Sequence, residues 1–190
     1  MITRLASTAL LFALAAAPGC ARSGPRAPIP PGDGHLTLVS GGGARQLKLE
    51  GRNLYGARLN VSFFADGYRG VYDQHGIVDL RPDGANRIMG SVAGQPTELY
   101  IEEGPSWLQV RGLYKGRVSS FFLTPSRFQG LVGNCTYTLR ATEDAMPNTY
   151  FGGSGCGAWG GGTRLTLPEG FYDRPVRERV VALALLLGGY

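Results

Sequence analysis

The sequence is poor in the groups that most often carry chemistry. It has two histidines and three cysteines in 190 residues, which excludes a histidine-built metal centre and a cysteine-dense scaffold. Charged residues make up 17% of the chain, and the arginines are scattered, with no basic run. A nucleic-acid face needs clustered Lys and Arg, so nucleic acid is not expected as a partner. The net charge of +5 is mild and leaves acidic lipid head groups, polysaccharide or another protein open as partners. No apolar stretch reaches the roughly 20 residues a membrane-spanning helix needs.

What the chain has instead is glycine, 30 residues of it, about twice the usual share. The glycines are spread along the sequence and read as turns and bulges rather than as one linker.

The chain begins Met1-Ile2-Thr3-Arg4, followed by the uncharged stretch Leu5 to Ala17 and then small residues. A basic start, a short apolar core and a small-residue seam are the layout of a secretory signal. Ala15-Ala16-Ala17 offers ordinary signal peptidase one cleavage pattern. The segment Ala17-Pro18-Gly19-Cys20 offers a second, because it resembles the lipobox of bacterial lipoprotein precursors, with Gly19 in place before the cysteine that receives the lipid.

That resemblance implies a signal peptide at 1–19, an acylated (palmitate-bearing) Cys20 and a membrane partner reached through the anchor. Ala21, rather than Asp, after the cysteine implies delivery to the outer membrane; a periplasmic or secreted form is the alternative. Residues 20–34 contain four prolines and three glycines and cannot bury enough surface to fold, so they read as a disordered tether. With Cys20 acylated, Cys135 and Cys156 are left, and an oxidising compartment turns such a pair into a disulfide. Two separate buried thiols are the alternative.

Residues 35–190 form one domain of about 155 residues, enough for a single core. Its segments alternate with period two, as half-buried strands do. "QLKLEG" at 46–51, "RLNVSFF" at 58–64 and "GIVDL" at 76–80 come first. "ADGYRG" between the last two is read as a break. Six strand-like segments then run from "NRIMGSV" to "CTYTLRA", 86–141, with short turns between them. Loops this short permit only antiparallel pairing.

The fold class is mainly β: an antiparallel meander forming a sandwich or open barrel, with one C-terminal helix. Gly90-x-Val92-x-Gly94 is echoed by Gly112-x-Tyr114-x-Gly116 and partly by Gly130-x-Val132, either as a true repeat or as hairpins that share a need for glycine. From Thr142 to Gly162 the pattern dissolves into a glycine-rich loop, and "TRLTL" gives another strand. At the C-terminus the period changes to 3.6. Asp173 is placed to cap a helix, Val176, Val180, Leu183 and Leu187 share a face, and Gly188 stops it. A terminal barrel strand ending in Tyr190 is the rival, but three consecutive leucines break the alternation it needs.

A search for chemistry returns little. His75 lies near Asp73 and Asp79 without a nucleophile in context. Glu102 and Glu103 are neighbours and point apart. Gly155 to Gly160 matches G-x-G-x-x-G without the strand-then-helix unit that binds dinucleotides. Glu143 and Asp144 lack calcium-loop spacing. No catalytic residue, metal ligand or cofactor is assigned.

Of the aromatics, Tyr150, Phe151 and Trp159 in the glycine-rich loop are the candidates for a binding surface. The reading is a non-catalytic envelope lipoprotein with a binding or scaffolding role. An exported hydrolase-type enzyme with a site assembled from distant residues, and a small integral outer-membrane barrel, are its rivals.

Overall fold

The computed structural model describes residues 32–73, 75–142, 147–156 and 159–188. Its strands are β1 Gly34–Ser40, β2 Gly43–Glu50, β3 Asn53–Gly56, β4 Leu59–Phe64 and β5 Gly67–Tyr72. There follow β6 Gly76–Asp83, β7 Arg87–Val92, β8 Gln95–Gly104, β9 Trp107–Tyr114 and β10 Arg117–Thr124. The last are β11 Arg127–Val132, β12 Cys135–Ala141, β13 Thr149–Cys156 and β14 Trp159–Thr166, before a 3-10 turn at Phe171–Asp173 and helix α1 at Val176–Leu187.

Each strand pairs antiparallel with the next, and β1 pairs with β14 through Thr37↔Thr166, Leu38↔Leu165 and Val39↔Arg164. The expected meander is there, and it closes completely rather than stopping as a sandwich or open barrel. Closure leaves no unpaired edge.

Strand alternation puts Leu36, Leu38, Leu47, Leu49, Val61, Leu80 and their like inside, at 7% exposure or less. Fourteen strands spaced about 4.8 Å apart and tilted about 40° make a ring roughly 28 Å across. Side chains lining such a wall cannot meet at its centre, whereas a helix about 10–12 Å wide can fill the gap. Helix α1 does this. Every residue from Arg179 to Leu187 is buried, which is why the segment after Arg179 is apolar all round rather than on one face. The helix is the centre of the core, not a layer laid on the sheet.

Three further expectations are corrected. Asp173 does not cap α1: it ends the 3-10 turn, and the helix starts after Pro175 with no side-chain cap. Gly188 does stop it, its N–H bonding to Ala184 O at 2.9 Å. The stretch from Thr142 to Gly162 is largely not a loop. β13 and β14 pair in register from Thr149↔Thr166 to Cys156↔Trp159. Glycines carry no side chain to display alternation, yet their backbone groups make a complete ladder. "ADGYRG" is likewise mostly strand β5.

The glycine echo has a physical basis. Ala93-Gly94 and Lys115-Gly116 have φ of 52° and 74°, and 51° and 70°, the pattern of tight hairpin turns whose twist matches the strands. Gly90, Gly112 and Gly130 sit mid-strand with φ of 144°, 143° and 151°. A Cβ on Gly90 would stand 2.0 Å from the Asp79 carbonyl oxygen, and one on Gly112 2.0 Å from that of Glu98. These are the kinks at which a barrel wall turns its corners.

Candidate functional site at the disulfide end

The two ends of the barrel differ. At the end where the chain enters, Arg174 pairs with Asp33 at 2.9 Å and with Glu178 at 3.1 Å, all three side chains being largely buried. Asp33 Oδ2 also accepts the Gly51 N–H at 2.9 Å. Gly32 N–H reaches Glu169 O at 3.1 Å. Residues 32–34, read from the sequence as the end of the tether, therefore belong to the folded unit. Arg179 bonds Glu103, and Arg177 donates to the carbonyls of Gly84 and Ala85. The Tyr150 hydroxyl donates to Thr124 O at 3.0 Å and lies against that of Tyr172. Burial pushes both phenol pKa values up.

At the opposite end Cys135 and Cys156, directly across from each other on β12 and β13, form a disulfide with Cα atoms 4.1 Å apart. The helix C-terminus emerges here. Its last carbonyls are satisfied by the wall: Tyr137 Oη donates to Leu187 O at 2.9 Å, and Arg45 Nη1 to Leu186 O at 3.2 Å. The Arg45 cation also suits the negative end of the helix dipole.

Beside it opens a cavity of about 320 Å³, floored by Leu47, Leu59, Leu185 and Leu186 and rimmed by Arg45 and Arg58. That volume is at the lower end of those that hold small ligands. Tyr72 lines one side; Lys115 Nζ lies over its ring, 4.7 Å from the centroid. Tyr114 is buried, and among the described residues its hydroxyl has no hydrogen-bond partner. Burial drives its pKa well up, with Tyr72 adding to the effect and Arg45 opposing it. Asp73, paired with Arg58, also lines the rim, so an apolar floor lies under Arg45 and an ion pair, an arrangement that suits amphiphilic groups.

The sequence candidates are not brought together. Tyr150 is fully buried, so it is not part of a binding surface: it points inward on β13, where it fills the lumen. Phe151, one residue on, points outward and is 41% exposed, between Arg140 and Arg164 of the neighbouring strands. The backbone of Trp159 opens β14 at the disulfide end, and its side chain lies outside the description. Period-two alternation and a strand's length separate the three.

Cys20, Glu143 and Asp144 lie outside the described residues. Asp73 is 3.4 Å from Arg58 and Asp79 is 3.7 Å from Arg69. Glu102 faces Arg111 at 3.9 Å on the outer wall while Glu103 turns to Arg179, so these neighbours do point apart. Gly155 and Gly160 belong to a strand hairpin, not to a strand and helix. Among the described residues no group of three or more His, Cys, Asp or Glu is arranged to hold a metal ion. Arg45 and Arg58 carried no signal in the sequence, and Tyr72 stood out only as one aromatic among several, because the site draws them from three separate hairpins.

The fold and its ends define a class of structure, a helix-filled closed antiparallel barrel. Comparison of the chain with protein-family models, with curated proteins and with solved structures returns no match.

Proposed function

We propose that the chain is a lipid-anchored bacterial envelope protein that binds or scaffolds rather than catalyses, held at the outer membrane through Cys20. The observation that carries this reading is that the lumen is occupied by the protein's own helix, from Arg179 to Leu187. An interior used up in this way leaves the outer wall and the two ends for recognition. The leader, the lipobox-like Ala17-Pro18-Gly19-Cys20 and the Cys135–Cys156 disulfide support export into an oxidising compartment.

The outer wall favours a barrel beside the bilayer over one within it. Lys48, Glu50, Arg69, Asp79, Glu102 and Arg111 face outward in ion pairs around it. An integral barrel has the opposite arrangement, an apolar belt outside and polar groups within.

Metabolic labelling with palmitate tests the anchor. The wild-type chain takes up label and Cys20→Ser does not; equal labelling of the two would remove the lipoprotein reading.

A further inference from the structure

The disulfide end carries an apolar rim that the core does not use. Val71 and Ile77 stand directly opposite each other on β5 and β6, and Leu113 and Val118 on β9 and β10. They are 50%, 64%, 37% and 66% exposed. Between the pairs, Ala93 and Pro96 come from the β7–β8 hairpin at the same end. A single exposed aliphatic is ordinary, but opposed pairs grouped at one end form a patch. Closer to the middle of the barrel the outward positions of these strands become charged: Arg69, Asp79, Glu98 and Arg111.

The same end is cationic. Among the described residues of its turns and strand ends, Arg45, Arg58, Lys115 and Arg117 face one acid, Asp73. The entry end, by contrast, matches its cations with Asp33, Glu103 and Glu178.

We infer that the disulfide end is a second membrane contact, docking on a bilayer surface rich in anionic phosphate head groups. Branched aliphatics reach the head-group boundary while the turn cations meet the phosphates, the division of labour seen in peripheral membrane segments. Basic residues near an anionic surface strengthen binding about fivefold each, so an excess of three is worth about a hundredfold.

The chain is long enough to allow this on the membrane that holds the anchor. Residues 20–31 span at most about 37 Å at ~3.1 Å per residue. An eight-residue strand rises about 27 Å, so the tether can run back past the barrel. The contact does not depend on acylation, and its test removes the acyl chain so that the two readings fail separately.

The mature chain carrying Cys20→Ser is sedimented with vesicles of phosphatidylethanolamine and phosphatidylglycerol in equal parts, and with phosphatidylcholine vesicles. It is expected to bind the first and not the second. Ile77→Asp with Val118→Asp, both at exposed sites, should weaken binding at least tenfold, in the range of the apolar and charge terms together. Lys115→Gln, which leaves the apolar rim intact, should weaken it about fivefold. Phe64→Asp, which removes an aromatic 50% exposed at the entry end, should change nothing. Failure to bind anionic vesicles, equal binding to phosphatidylcholine, or a Phe64→Asp loss matching that of the rim pair would each overturn the inference.

Discussion

Replacing Gly112 by alanine should cost this protein far more than a methyl added at a glycine in a turn or in an open stretch of strand. Gly112 has φ of 143°, a region open only to glycine, where a side chain costs about 1–3 kcal/mol in strain alone. The new Cβ would also stand 2.0 Å from the Glu98 carbonyl oxygen and 3.2 Å from Leu99 Cα. Both are backbone atoms of β8, which is hydrogen-bonded on its other side to β7. They cannot swing aside as a side-chain tip would. Relief means moving β9 about 1 Å off its neighbour, at the expense of ladder hydrogen bonds worth about 1 kcal/mol each.

Together these effects amount to about 3–5 kcal/mol. Two other glycines calibrate the measurement. Gly94→Ala meets nothing within 4 Å but has φ of 74°, and should cost about 1–2 kcal/mol for the left-handed backbone. Gly153→Ala meets nothing within 4 Å and has no positive φ, and should stay within about 0.5 kcal/mol of wild type. Urea melts followed by far-UV circular dichroism, with the disulfide intact and slopes compared, give the three values. If Gly112→Ala melts alongside Gly94→Ala, the wall does not need its kink and the account of the glycine echo is wrong.

Three more outcomes follow from the packing. Reducing the Cys135–Cys156 bridge, which closes a loop of sequence separation 21, should cost about 3 kcal/mol in the chain-entropy model; an unchanged urea midpoint in reductant would show that the bridge is dispensable. Asp33→Ala strips a buried partner from Arg174 and should cost about 3 kcal/mol, whereas Glu50→Ala breaks an exposed pair with Lys48 and should cost under about 1 kcal/mol; thermal melts of both variants rank them. Stability should also fall in alkali. An unfolded phenol ionises near pH 10, while burial, helped by Glu178, raises Tyr68 to about 12. The folded chain keeps a proton the unfolded chain gives up, so this contribution is whole below pH 10 and is lost as pH rises towards 12. A urea midpoint flat across that window would count against it.

The strands β7 to β12 were readable because their alternation is clean and Ala93-Gly94, Lys115-Gly116 and Gly133-Asn134 punctuate them. The β13–β14 hairpin was not, because glycine at 152, 153, 155 and 160–162 leaves no pattern to see. The helix was legible as a helix, but its place was not. A period of 3.6 identifies a face, and only the absence of any polar face after Arg179 hints at burial on all sides. Closure was invisible for another reason: Leu38 and Leu165 pair across more than a hundred residues, and neither sequence segment names its partner. The bridge could be inferred from the number of cysteines and the expectation of export. The cavity could not, since Arg45, Arg58 and Leu186 meet only once the wall is round.

The occupant of the lumen is made after the wall that holds it. A ribosome that has finished β14 has produced an inner surface of leucine, valine and tyrosine with nothing yet to place against it. Strand β1 has meanwhile waited through the synthesis of the whole wall for the strand that completes the ring. Contacts this distant form slowly and expose apolar surface while they do. The barrel therefore cannot complete its core until α1 has been made, and a chain cut short before Val176 would be a wall around a greasy hollow, prone to aggregate.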